Sequence, residues 1–232
     1  MRFWLVGQVV HGWAILVMVA AGCGTPRSDF AADGAARGEC ATGYGPPTPV
    51  GPPTAPALIE ASGSAAGRAA PGALWTHADS GGAADVYALD VHAVLLGVVA
   101  LPGVTAVDFE DVAVAACPDA SGSCVWIADT GNNDRNRTDQ ALYAFAEPAT
   151  SAAFGRIDAP RVWRFPVSFP GGAVDSEALA VVPDGSAAYL FDKIDGASAR
   201  YFVYRAPFVD GQAKTLDLAD TMPSPGLAIQ RG

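Results

Sequence analysis

"FEDVAVAACPDASGSCVWIADTGNN", residues 109–133, decides the fold. Two apolar runs, "FEDVAVAA" and "CVWIAD", flank the turn-rich "PDASGS". Each run is short and bounded by Gly, Asp, Asn or Pro, the pattern of β-strands joined by a hairpin. Cys117 and Cys124 bracket the turn and face each other across it, where a disulfide would staple the hairpin. The spacing disfavours metal binding by these two alone, because no second Cys or His pair lies at a ligand spacing.

The same grammar occurs three times. "IEASGSAA", "FEDVAVAA" and "SEALAVVP" align, which puts Glu60, Glu110 and Glu177 in register. A second strand follows in "LWTHADSGG", "VWIADTGNN" and "AYLFDKIDG", aligning Asp79, Asp129 and Asp192. A third contributes Tyr87, Tyr143 and Tyr204, and a fourth run such as "RVWRF" or "TLDL" closes each unit. No amphipathic helix is evident; the Ala-rich "ASGSAAGRAA" carries too much Gly and Ser. Four strands per unit, recurring at this spacing, is the signature of β-propeller blades. The expected fold is therefore all-β: a partial propeller of three four-stranded antiparallel blades, at about 57–107, 108–174 and 175–232. A closed ring needs about four or more blades. The chain therefore reads as a truncated product of a longer one, the alternative being open ends that pair with another copy.

Ahead of the blades, "MRFWLVGQVVHGWAILVMVAAGC" has a positive start, an apolar run and small residues, the order of an export signal. Its end, "AAGC", resembles the lipobox of bacterial lipoproteins, with Cys23 as the lipid-bearing residue; Ala20 stands where Leu is commonest. An uncleaved membrane helix is the competing reading, weakened by Gln8, His11 and three glycines. Residues 24–56, with "GYGPPTPVGPPTAP", form a Pro/Gly-rich tether that cannot bury enough surface to fold alone. This organisation places the blades outside the cytoplasm, anchored in the bacterial envelope by lipid, at the outer membrane where the cell has one. Export permits the Cys117–Cys124 bridge and leaves Cys40 without an assigned partner.

A net charge of −10, with only 16% charged residues, argues against nucleic acid as a partner, since phosphate binding needs clustered Lys and Arg. Cations, neutral ligands or proteins suit such a surface better. Glu60, Glu110 and Glu177 open the inner strands, which line a propeller's channel, so they converge and repel unless something neutralises them. The functional reading is a channel-mouth Ca²⁺ site at these glutamates, because hard oxygen ligands select that ion; in the hydrolase reading Glu110, Asp129 and Glu177 hold the metal. The structural reading has each Glu accepting backbone hydrogen bonds. Trp75, His77 and Asp79 share one strand face. The loop "GNNDRNR" adds Asn132, Asn133 and Asp134 as oxygen donors, with Arg135 and Arg137 for an anion, although aspartate before Thr and Gly is also an ordinary turn former. No GxSxG elbow or nucleophilic triad is present, which favours binding over catalysis.

Across residues 58 to about 205, "EASG", "LWTHADSGG", "VDFEDVAV", "IADTGNNDRNR", "YAFAEP" and "DSEALAV" resemble a family of bacterial exported β-propellers of NHL- or YVTN-like type, often lipoproteins. The resemblance implies a longer chain closing roughly six or seven blades. Some members are similar to β-propeller phytases and esterase-like proteins, which implies Ca²⁺-dependent phosphate-ester hydrolysis as an alternative to binding. The family usually has Asn after the first motif's histidine; Ala78 stands there, which counts against a ligand role for that loop. The expected function is a lipid-anchored binding or scaffold module for a protein or small-molecule ligand. A metal-dependent hydrolase and a non-functional remnant are the competing readings.

Overall fold

A computed structural model describes residues 49–58, 60–149, 152–193 and 198–223. The chain divides into two units. One comprises Met1–Pro52 with Ile229–Gly232, of which only the irregular stretch 49–52 is described. The other, Pro53–Ala228, carries every described strand. Cys23 with the expected signal segment 1–23, Cys40 and most of the expected tether 24–56 lie outside the described residues.

In chain order the strands are β1 (Ala61–Ala66), β2 (Leu74–Ala78), β3 (Asp85–Leu89), β4 (Leu95–Ala100), β5 (Phe109–Ala116), β6 (Ser123–Asp129) and β7 (Ala141–Ala146). They continue with β8 (Gly155–Asp158), β9 (Trp163–Ser168), β10 (Ser176–Val181), β11 (Ala187–Asp192), β12 (Ser198–Arg205), β13 (Lys214–Thr215) and β14 (Asp217–Pro223). Among the described residues there is no helix. Each sequence unit builds one antiparallel sheet, β1-β2-β3-β4, β5-β6-β7-β9 or β10-β11-β12-β14. The first strands β1, β5 and β10 run beside one another, so the fold is the three-bladed partial propeller expected.

Two apolar layers hold the sheets together. Trp75, Val86 and Val99 of the first sheet meet Phe109, Ile127, Tyr143 and Phe145 of the second. Trp126, Leu142 and Phe165 of the second meet Leu179, Leu190, Phe202 and Tyr204 of the third. Burying a side chain such as Phe165 or Phe202 contributes about 1.5–3 kcal/mol, so these layers dominate the cohesion of neighbouring sheets. The Cys117–Cys124 bridge is formed, closing the β5–β6 hairpin as the spacing foretold.

Four details depart from the sequence expectations. The blade boundaries are not clean: β8, from the connection between β7 and β9, pairs in parallel with β4 of the preceding sheet. Likewise β13, from the connection between β12 and β14, pairs in parallel with β9. "TLDL" is therefore divided, its Thr215 serving the second sheet and its Asp217 and Leu218 the third. The structural equivalent of Tyr87 and Tyr143 is Phe202 rather than Tyr204, since these three pair with Thr76, Ile127 and Leu190 at matching register. Finally, the last tether residues belong to the folded unit. Thr54 donates its N–H to Ala93 and accepts from Leu95 through its hydroxyl, while Ala55 and Leu58 are buried.

Candidate functional site

The first strands of the second and third sheets both contain one residue too many. Phe109 pairs with Asp129 and Asp111 with Ala128, which leaves Glu110 unpaired between them. Ser176 pairs with Asp192 and Ala178 with Phe191, which leaves Glu177 in the same position. A bulge breaks the alternation of side chains and re-aims the extra one. In the first sheet Ala61 pairs with Ala78 and Ser62 with His77, and the irregularity falls later, between Ser62 and Ala65. There Gly63 takes a φ of 54°, which a side chain would oppose.

This corrects the register of the repeats. Pairing makes Ala78 the equivalent of Asp129 and Asp192, and Glu60 the equivalent of Asp108 and Asp175. The backbone agrees: Asp79 N donates to Glu60 O at 2.9 Å, and Lys193 N to Asp175 O at 2.7 Å. Aligning by glutamates alone counted residues across a bulge that sits at different places in the repeats.

Around Glu110 the bulges and turns assemble two overlapping carboxylate groups. Asp79, Asp108 and Glu110 form one, and Glu110, Asp175 and Glu177 the other, with candidate ligand oxygens in each within 4.8 Å of one another. Asp79 follows β2, Asp108 and Asp175 precede β5 and β10, and so all three sheets contribute. Burial, reinforced by Glu177, Asp79, Asp108 and Asp175, pushes the Glu110 carboxyl up to about 9. Burial followed by Asp108, Glu177 and Glu60 raises Asp79 to about 6, against the pull of Lys193. Burial also raises Asp108, against the pull of Arg137. Gly131 is required here, because a Cβ on it would collide with the carboxylates of both Glu110 and Asp108.

The other expected site residues have mainly structural partners. Asp129 lies outside both groups: it accepts from the N–H of Asp108 at 3.0 Å and of Val107 at 3.4 Å, and pairs with Arg137 at 2.9 Å. It holds the entry to β5. Asn132 is buried and ties its own loop, its Oδ1 accepting from Asn136 N and Arg137 N and its N–H donating to Asp175. Arg137 also reaches Asp139 and the Gly131 carbonyl, and Arg135 lies 3.8 Å from Asp192. Asp134 is exposed on the same loop. Asn133 accepts from Lys193 Nζ at 3.1 Å. His77 is fully buried, donates from Nδ1 to the Ala78 carbonyl and packs edge-on against Phe109. Burial lowers it to about 4, so it is neutral at pH 7.

Three residues of the centre escaped the sequence reading: Asp108, Asp175 and Lys193. The signal was present in the repeated "VDFE" and "VDSE", each an Asp two residues before a Glu. A cleft of about 260 Å³ lined by Pro118, Asp119, Arg161, Trp163, Phe208 and Asp210 shares none of these residues. Compared with known proteins, the chain matches no family model, and no curated protein is significantly similar to it.

Proposed function

We propose that the chain is an extracytoplasmic binding module of NHL- or YVTN-like propeller type, attached to the envelope by lipid on Cys23. Its carboxylate centre takes a divalent cation, Ca²⁺ above others, and the 131–137 loop presents that ion to a protein or small-molecule ligand. The observation that carries this reading is Glu110, which is 4% exposed and faces four further carboxylates contributed from three sheets. Like charges at this separation disfavour ionisation and cost stability unless a cation enters. An all-oxygen donor set selects a hard ion.

The phosphoesterase alternative requires Arg135 or Arg137 to hold an anionic substrate. Both already face carboxylates, Asp192 and Asp129 respectively, so an anion has to displace those partners. This favours binding over hydrolysis.

Calcium titration of the purified chain tests the proposal. Ca²⁺ at a hundred times its Kd contributes about 2.7 kcal/mol of stability, which raises Tm by roughly 5–10 °C for a chain of this size. An unchanged Tm at millimolar Ca²⁺ removes the cation from the reading. Release of phosphate from a generic monoester, dependent on Ca²⁺, would instead favour the hydrolase.

A further inference from the structure

The two carboxylate groups that share Glu110 are not equivalent. In the group made with Asp175 and Glu177, a cation is already present: Lys193 Nζ lies 2.6 Å from Glu177 Oε1 and 3.4 Å from Asp175 Oδ2. Its third neighbour is Asn133 Oδ1 at 3.1 Å, so the three N–H bonds of the ammonium meet three acceptors. Both Asp175 oxygens are already engaged: Oδ1 accepts from Asn132 N at 2.7 Å and Oδ2 faces the ammonium. The Lys193 main chain is fixed as well, through its N–H on the Asp175 carbonyl.

The group made with Asp79 and Asp108 differs. Among the described residues no Lys or Arg forms an ion pair with Asp79, Asp108 or Glu110; Arg137 pulls on Asp108 and Lys193 on Asp79 only at longer range, and Arg137 is itself paired with Asp129 and Asp139. Glu110 itself is 4% exposed and aimed between both groups.

We infer that Lys193 is the resident cation of the Glu110–Asp175–Glu177 position, so that the centre takes a single divalent ion, at Asp79, Asp108 and Glu110. This rests on the cation-binding reading above and adds its stoichiometry and its exclusion device. Lys193 also ties Asn133, in the loop peculiar to the middle repeat, to the Asp175 and Glu177 side of the centre.

Isothermal titration of the full chain with CaCl₂ tests it. The native chain should bind one Ca²⁺, and Lys193→Met should bind two. Two ions in the native chain, or one ion in a folded Lys193→Met variant, would overturn the inference while leaving the cation-binding reading intact. No binding by the native chain overturns both. Should Lys193→Met fail to fold, Asp108→Asn in the native background decides: affinity falling at least tenfold supports the inference. Undiminished binding of one ion by Asp108→Asn means that Ca²⁺ uses the other position, and overturns it.

Discussion

Glu147, one residue beyond β7 of the second sheet, accepts a hydrogen bond of 3.1 Å from the indole Nε1 of Trp75 in the first. The same buried carboxylate accepts from the backbone N–H groups of Arg68 at 2.9 Å, Ala69 at 2.8 Å and Ala70 at 3.4 Å. One side chain therefore fixes the β1–β2 turn and orients the largest aromatic of the first interface. Glu147→Ala leaves these donors unsatisfied in a place water cannot easily reach, and is expected to cost about 3–5 kcal/mol. Urea unfolding measures it; a loss below about 1 kcal/mol would show that the turn rearranges to find other acceptors.

Gly131 offers a sharper probe of the centre. Gly131→Ala places a methyl against the carboxylates of Glu110 and Asp108, which are mobile ends and can yield without unfolding the sheet. Calcium affinity should fall at least tenfold, about 1.4 kcal/mol, with the far-UV spectrum unchanged. Unaltered affinity would place the ion elsewhere.

The raised carboxyls set the pH response of the cation-free protein. Glu110, lifted from 4.5 to about 9, and Asp79, lifted to about 6, hold protons when folded that they release on unfolding. The stability they contribute is fully present below the ordinary carboxylate range and is lost as pH rises through 6 and 9. In EDTA, Tm should decline from pH 6 to 9; saturating Ca²⁺ should abolish the decline, and Glu110→Gln should flatten it. His77 acts oppositely: lowered from 6.5 to about 4, it contributes stability above pH 6.5 that is lost as pH falls through 4. His77→Phe should reduce that acid-side loss. A flat profile in EDTA would mean that the carboxylates separate in solution.

The disulfide closes a short loop, its cysteines lying seven positions apart in the chain. Chain-entropy arguments give about 2–3 kcal/mol for a loop of this length. Replacing both cysteines with Ala should lower stability by that amount without altering Ca²⁺ affinity, since neither residue belongs to the centre. A change in affinity would reveal coupling between the two ends of β5 and β6.

The sequence made the strands legible because runs such as "CVWIAD" and "EALAVV" concentrate apolar and β-branched residues between turn formers. Glu110 and Glu177 were legible for the same reason, since both open an inner strand. Their bulges were not, because a bulge is a property of pairing and leaves no mark on one strand alone. That is why Asp79 was aligned with Asp129 when Ala78 is its equivalent. Asp108 and Asp175 precede their strands, where an aspartate is an ordinary turn former, and Lys193 belongs to a tertiary contact that no local pattern encodes. The strand β8 was illegible because all four of its residues are exposed, so nothing in "GRID" distinguishes it from a loop.

The parallel pairings of β8 with β4 and of β13 with β9 also govern the order in which the sheets can be finished. The first sheet lacks its outermost strand until residue 158 has been synthesised, and the second until residue 215. Completion of these two sheets thus trails synthesis by one repeat, each being sealed by material from its successor. A cut within the third repeat before Lys214 consequently damages two sheets, the one it shortens and the one it leaves unsealed.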